Sequence, residues 1–356
     1  MSEQKERVRW LIAAVAIVAV ANGIGAAEAA KVPQAVSALA SVTHRAVPQS
    51  GGFSWSAEYT YDGSGNITDI SGQPLRYDVN GRLAQASVLS PTGAVTTQSF
   101  SYDAYGNMTS RPWGGSSTTI TVDTTTNHLT SFSAVYDPAG SGNLTSYHSP
   151  NTGAVYNYVY DGFGMLSTEA VGSTMVTYNV YTADDERIWT YDNTTLNSVA
   201  TVRDLSGQVL TRFERNYVGV VNGQATWRKD VTRNYVYGDG GRMVMALIPT
   251  TGGSEHFTLD HLGTPRVVTD WDGTTAHKVG YHVYAPFGEE ITGTQEGEQK
   301  KFTGHERDRD IAADGTALDY MHARYYSPLL GRFLSRDAHA ANTRFPESFN
   351  RCLRLE

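Results

Sequence analysis

Tyr61-Asp62-Gly63-Ser64-Gly65-Asn66-Ile67 carries the unit on which the fold turns. An aromatic residue ends a strand, Asp caps the turn through its own backbone, Gly supplies φ > 0, and an apolar residue opens the return strand. Further copies are Tyr77-Asp78 with Gly81-Arg82-Leu83 and Tyr102-Asp103 with Gly106-Asn107-Met108. A stretched copy runs from Tyr136-Asp137 to Gly142-Asn143-Leu144, and a contracted one pairs Tyr160-Asp161 with Gly164-Met165-Leu166. Such a repeat generates hairpins. Val176-Thr177-Tyr178-Asn179-Val180-Tyr181, and Arg242 to Leu247 after the Gly238-Asp239-Gly240-Gly241 turn, read as strands in which every second side chain shares a face.

Composition agrees with this reading. The chain has 356 residues, with 35 Gly, 21 Tyr and 18% charged residues, which suits many short strands joined by tight turns. The 40% hydrophobic content can bury a core, and a mean hydropathy of −0.35 argues against multiple membrane spans. A net charge of −8 without a Lys/Arg cluster is the wrong sign for nucleic-acid binding. Cys352 stands alone, so neither a disulfide framework nor a zinc site built on several thiolates is expected.

The first thirty residues differ from the rest. Lys5, Arg7 and Arg9 precede an apolar run from Trp10 to Ala21, and small residues end in Ala27-Glu28-Ala29. This reads as a cleavable signal peptide. Extended to Ala30, the run is about long enough for an uncleaved anchor, and a buried helix is the third option. Either of the first two sends the bulk of the chain across the membrane, to a secreted or cell-envelope location. Residues 31–52 read as a linker.

The Asp and Asn near Gly do not make calcium loops, because no copy supplies the alternating oxygen ligands and final bidentate Glu of such a site. Trp113, Trp189 and Trp227 could stack on sugars, but in a hairpin sheet they are expected mainly to brace cross-strand neighbours. No G-x-S-x-G, G-x-x-x-x-G-K-[ST] or H-E-x-x-H motif occurs, and the ten His lack ligand spacing. No cofactor or metal is expected. Asp308, Asp310 and Asp314 flank Gly315 and read as solvated loop charge.

Several blocks in one order go beyond a generic β pattern. They are Asp260-His261-Leu262-Gly263-Thr264-Pro265-Arg266, Tyr284-Ala285-Pro286-Phe287-Gly288-Glu289, Phe302-Thr303-Gly304-His305-Glu306, Ala323-Arg324-Tyr325-Tyr326-Ser327-Pro328, and Gly331-Arg332-Phe333-Leu334-Ser335 with Asp337. Together they resemble the RHS/YD-repeat family, which includes Tc-toxin C components and shares its shell architecture with the animal teneurins. The resemblance implies an all-β fold of repeated antiparallel hairpins in one long spiralling sheet, with helix confined to the N-terminal segment and short turns. It implies repeats over 53–255, a core domain over 256–350 that closes the shell, and an atypical or truncated tail at 351–356. Gly263, Pro265 and Gly288 read as turn residues, and His261 as a hydrogen-bonded core histidine.

In toxin-bearing relatives the end of this core resembles an intramolecular aspartyl protease. Residue by residue, the resemblance places Asp337 on the catalytic aspartate and Arg336 on the neighbouring basic residue. Two carboxylates must share a proton in such a mechanism. In the expected region of the second, Glu347 is the only acid, the usual Pro after the Asp is Ala338, and the cleavage segment is absent before Glu356. The expected function is therefore a non-catalytic, exported shell fragment whose partners are other shell segments or a toxin. The alternative is an adhesion module that takes a cell-surface carbohydrate or protein. Protein incubated for days is expected to run as one band on denaturing gels apart from leader removal, and Asp337→Asn should not change the pattern. Fragments that vanish in that variant would show a working protease.

Overall fold

The computed structural model describes residues 57–89, 94–113, 116–271, 276–292, 298–308 and 315–337. The leader over 1–30, the linker over 31–52, Asp310, Asp314, Ala338, Glu347 and the tail over 351–356 lie outside them, as do the side chains of Trp113 and Trp271.

Among the described residues nearly all regular structure is antiparallel strand, with helix limited to single 3₁₀ turns such as Ser131–Ser133 and Phe302–Gly304. The expected single sheet is divided into four ladders. Five strands from Tyr59–Tyr61 to Val95–Ser99 form the first, and three from Ser101–Tyr102 to Ser116–Thr119 the second. The main sheet has 13 strands, in sequence order from Val135–Tyr136 to Ala276–Tyr281. Four short strands, from Glu306–Arg307 to Arg332–Phe333, make the last. The first two breaks fall beside Phe100, Ile120 and Leu129, whose side chains are buried in the core.

Each turn solves the same local problem in the same way. Asp62 Oδ1 accepts the amides of Ser64 and Asn66 at 2.8 and 2.9 Å, the Asp62 amide donates to Asn66 O at 2.9 Å, and the Gly65 amide donates to Asp62 O at 3.1 Å. This is a type I turn closed by a left-handed glycine, with φ of 88° at Gly65. Asp78, Asp103, Asp161, Asp204 and Asp260 repeat it. The Asn66 side chain, together with turn amides, holds the Asp62 carboxyl below the usual range, and Ser206 leads the same effect at Asp204. The backbone pattern also recurs without Asp at Thr182, Gly238, Ala285 and Lys301. Pairing slips by one residue just before most turns, as at Thr60/Tyr61, Val159/Tyr160 and Thr258/Leu259. These bulges strengthen the local twist of the sheet.

The tyrosine before a turn links one repeat to the previous one. Tyr102 Oη donates to Leu83 O at 2.8 Å, Tyr160 Oη to Leu144 O at 3.0 Å, Tyr181 Oη to Leu166 O at 2.6 Å, and Tyr237 Oη to Val209 O at 2.8 Å. In each case the acceptor opens the return strand of an earlier hairpin. Strict alternation fails in Thr174–Tyr181, because a bulge at Glu169/Ala170 puts Val176, Thr177 and Asn179 inside while Tyr178 faces out.

The main sheet cannot be flat. Thirteen strands at about 4.8 Å spacing would separate its two ends by roughly 60 Å. Yet Arg111, before the first of these strands, forms an ion pair with Glu289, after the last, and Phe100 lies edge-on to Phe287 with ring centroids 4.9 Å apart. Similarly, Tyr59 Oη sits 3.0 Å from His261 Nδ1. The sheet therefore bends enough for the segments that flank its two ends to meet. One buried cluster joins Phe100, Met108, Leu144 and Tyr156 to Leu318, Tyr325, Leu330 and Leu334, while Val209, Tyr235, Ala246, Phe257 and Val268 form a second.

Asp185 takes the glycine position of the Thr182 turn at φ 60°, a left-handed conformation in an exposed loop. Asp185→Gly is expected to raise unfolding free energy by about 0.5–1 kcal/mol through relief of that strain, measured by urea titration. A loss of stability would contradict this account of the turn.

Candidate functional site

From Tyr284 to Asp337 the chain leaves the ladder and crosses the main sheet as a strap. Pro286 and Gly288 shape its first turn, in which the Ala285 amide donates to Glu289 O at 2.8 Å and Gly288 adopts φ 95°. A Cβ at Gly288 would lie 2.6 Å from Phe302, so the strap folds back on itself there. At the second turn the Thr303 amide donates to Thr264 Oγ1 at 2.9 Å. The strap is thereby docked on the Asp260 turn.

The sequence-marked residues fall into three groups. Asp260 is buried, and its Oδ2 accepts Arg266 Nε at 2.9 Å, so it braces its own turn from both oxygens. Pro265 opens a strand at a bulge, where its missing N–H costs no ladder bond. Gly263 has φ 83°, and its carbonyl would lie 3.1 Å from a Cβ at Gly304. His261 departs from expectation: it is exposed at the turn tip, bonded to Tyr59, because the chain reversal there points position 261 outward. The core histidine is His282, 2.5 Å from Glu290.

The second group locks the strap. Tyr325 and Tyr326 are buried, and Tyr326 packs edge-on to Phe333 with centroids 5.6 Å apart. Gly331 passes so close to Arg111 and Met108 that a Cβ would lie 3.2 Å from each. Arg332 donates to Asn127 O at 3.0 Å, Arg111 to Leu329 O at 2.6 Å, and the Leu144 amide to Leu334 O at 2.7 Å.

The third group is the protease-like end. Asp337 Oδ2 lies 3.1 Å from Arg324 Nη2, and the Arg324 guanidinium stacks 3.8 Å from the Phe333 ring centroid. Arg336 instead lays its aliphatic stem along Gly142, where a Cβ would lie 3.2 Å from Cδ. Asp337 and Arg336 are thus adjacent in sequence yet bound to different neighbours.

Sequence reasoning missed the ion pairs beneath the strap. Arg187 Nη1 binds both carboxylate oxygens of Asp308 at 2.7 and 2.8 Å and donates to Tyr325 Oη at 2.9 Å. Asp308 is therefore drawn inside rather than solvated as expected. Arg203 pairs with Glu306, Arg233 with Glu298 and Glu255, and Arg307 is bidentate to Asp319. The available signal was a charged residue at an inward-facing strand position, as in Arg187–Asp192. Burial pushes the Asp308 and Glu289 carboxyls up against the pull of Arg187 and Arg111. At Glu306 burial also pushes up, but Arg203, Arg187 and Lys300 outweigh it and hold the carboxyl down at about 2.

Because the folded value at Glu306 is depressed, its contribution is present above the ordinary value near 4.5 and is lost as pH falls toward 2. Glu306→Gln is expected to cost on the order of 2–3 kcal/mol at pH 6, and the gap to the unmodified chain should narrow as pH falls toward 2. Urea midpoints across that range measure it; a pH-independent gap would rule out the ion pair as its source.

No protein-family profile matches the chain. A curated protein, the tRNA3(Ser)-specific nuclease WapA of Bacillus spizizenii, is 25% identical over 285 residues, which cover 79% of this chain and 9% of that protein. Among solved structures, the Tc holotoxin pore of Photorhabdus luminescens aligns with a TM-score of 0.60 at 18% identity, over 84% of this chain and 16% of that one. The crystal structure of TcdB2-TccC3 gives 0.58 at 17% identity, over 84% and 17%. The chain thus spans a small fraction of each, and at these identities the likeness to the solved structures is one of fold.

Proposed function

We propose that this chain is a wall-and-closure segment of an RHS-type shell that encloses another polypeptide, with a toxin as the cargo class. The observation that carries this reading is the strap, which ties strands from both ends of a bent sheet to one another through buried ion pairs and tyrosines. A binding scaffold gains little from such a crossing, whereas a wall that must hold its curvature around contents requires one. The similarity in fold to Tc toxin assemblies and the partial match to WapA support the cargo class.

In this reading the Asp337 region serves closure rather than peptide hydrolysis. Its carboxylate is held by Arg324, which in turn covers Phe333. Residues 1–30 act as the export leader or anchor, and the wall segment works outside the cytoplasm.

A second reading, an adhesion surface, rests on one observation. Trp189 stacks on Tyr191 with centroids 5.8 Å apart and meets Tyr178 edge-on, and Tyr178 is 43% exposed. Aromatic platforms of this kind take carbohydrate.

Affinity isolation from the native cells followed by proteinase K separates the two readings. A protected polypeptide should co-purify with the unmodified chain and be digested with Leu334→Ala, which opens the strap at a cost of about 2–5 kcal/mol. Absence of any protected polypeptide, together with glycan binding that Trp189→Ala abolishes, would replace the shell with the adhesion surface.

A further inference from the structure

A cleft of about 320 Å³ lies where the strap meets the repeat turns, and no part of the shell reading uses it. One wall is built from successive turn tips, Ser206-Gly207-Gln208, Gly241-Arg242 and His261-Leu262-Gly263. The opposite wall comes from the strap, with Lys300, Thr303 to Glu306, and His322. Its volume falls within the range of small-molecule sites.

The charge inside is unusual for this chain. The acid lining the cleft, Glu306, is already engaged by Arg203. Lys300 Nζ reaches a distant carbonyl, Gly304 O at 3.5 Å, and the hydrogen bond of Arg242 goes to the Asp260 carbonyl; neither cation has a carboxylate partner within ion-pair distance among the described residues. Three imidazoles also line the cleft, each with one ring nitrogen engaged: His261 with Tyr59, His305 with Thr303 and His322 with Glu186. Burial holds the Lys300 ammonium below its ordinary value, against the pull of Glu306 and Glu298, and its Nζ lies 5.7 Å from the Tyr235 ring centroid. Lys and Arg side chains converging on one concave site are the usual apparatus for phosphate and carboxylate groups.

We propose that this cleft binds a small oxyanion, a phosphate monoester or a carboxylate, carried on a ligand of about monosaccharide size. Lys300 and Arg242 hold the anion, and the hydroxyl of Thr303 and the imidazoles of His305 and His322 face the remainder. The site is assembled from both the sheet and the strap, so a ligand there stabilises the closed arrangement by mass action.

Calorimetric titration of the full chain tests the proposal, with glucose 6-phosphate and glucuronic acid as the two anionic probes and glucose as the neutral control. Saturable heat from one or both anions and none from glucose is expected, and whichever anion responds identifies the source of the oxyanion. Lys300→Met should weaken binding by about tenfold or more, the loss of one charge-assisted contact. Because that variant touches a packed region, Leu262→Glu supplies a second: the residue is 40% exposed at the cleft rim, and an added carboxylate should weaken anion binding with the melting temperature unchanged. Titrations in which neither anion saturates, in which glucose binds equally well, or in which both variants bind like the unmodified chain would overturn the proposal.

Discussion

A bent sheet with open edges holds its curvature only if something spans it, and here that span is a set of buried arginine–carboxylate pairs. Arg187 with Asp308, Arg203 with Glu306, and Arg233 with Glu298 each join a strand of the main sheet to the strap. A buried pair of this kind adds modest net stability, but an unpaired member would be costly to leave in a low-dielectric interior. Ion pairs therefore specify the strap's position more than they strengthen it. The hydrophobic side chains around them, including Leu318, Leu330 and Leu334, supply the driving force for burial.

The repeat supplies the surface that the strap fastens. Each Asp turn is self-contained, because one carboxylate satisfies two turn amides and a left-handed glycine closes the reversal. Hairpins formed this way depend little on distant residues, and the tyrosine hydroxyl contacts join each to an earlier one. Stability is then nearly a sum of local units and nearest-neighbour terms, as in other repeat proteins. The strap breaks that one-dimensional logic. It couples Tyr156 to Thr316 at 2.6 Å and Arg111 to Leu329, partners 160 and 218 residues apart, so the docking of the strap depends on distant parts of the chain.

Electrostatics divides the molecule further. Along the strap, Glu298, Glu306, Arg307, Asp308 and Asp337 are each matched, and burial at Glu306 is outweighed by the cations around it, which hold its carboxyl down. Where the strap meets the turn tips, Lys300 and Arg242 have no carboxylate partner within ion-pair distance among the described residues.

The hairpins and their turn chemistry were legible in the sequence because Asp, Gly and Tyr act within a few residues of themselves. Asp62, Asp78, Asp103 and Asp161 behave as their spacing implies, and the all-β class follows from them. The Gly238 turn was marked by its glycines, but the turns at Thr182 and Lys301 escaped notice, since there the backbone adopts the same pattern without the marking Asp. The positions of Asp308 and His261 were read the wrong way round, the first drawn in and the second turned out. Neither could be deduced locally. Whether a loop carboxylate is solvated or buried depends on whether a guanidinium more than a hundred residues away arrives beside it, and the bend of the sheet brings Arg187 to Asp308 and Tyr59 to His261. Local conformational preferences thus wrote the hairpins, while closure, the ion-pair seam and the cleft arose from long-range packing that no spacing in the chain encodes.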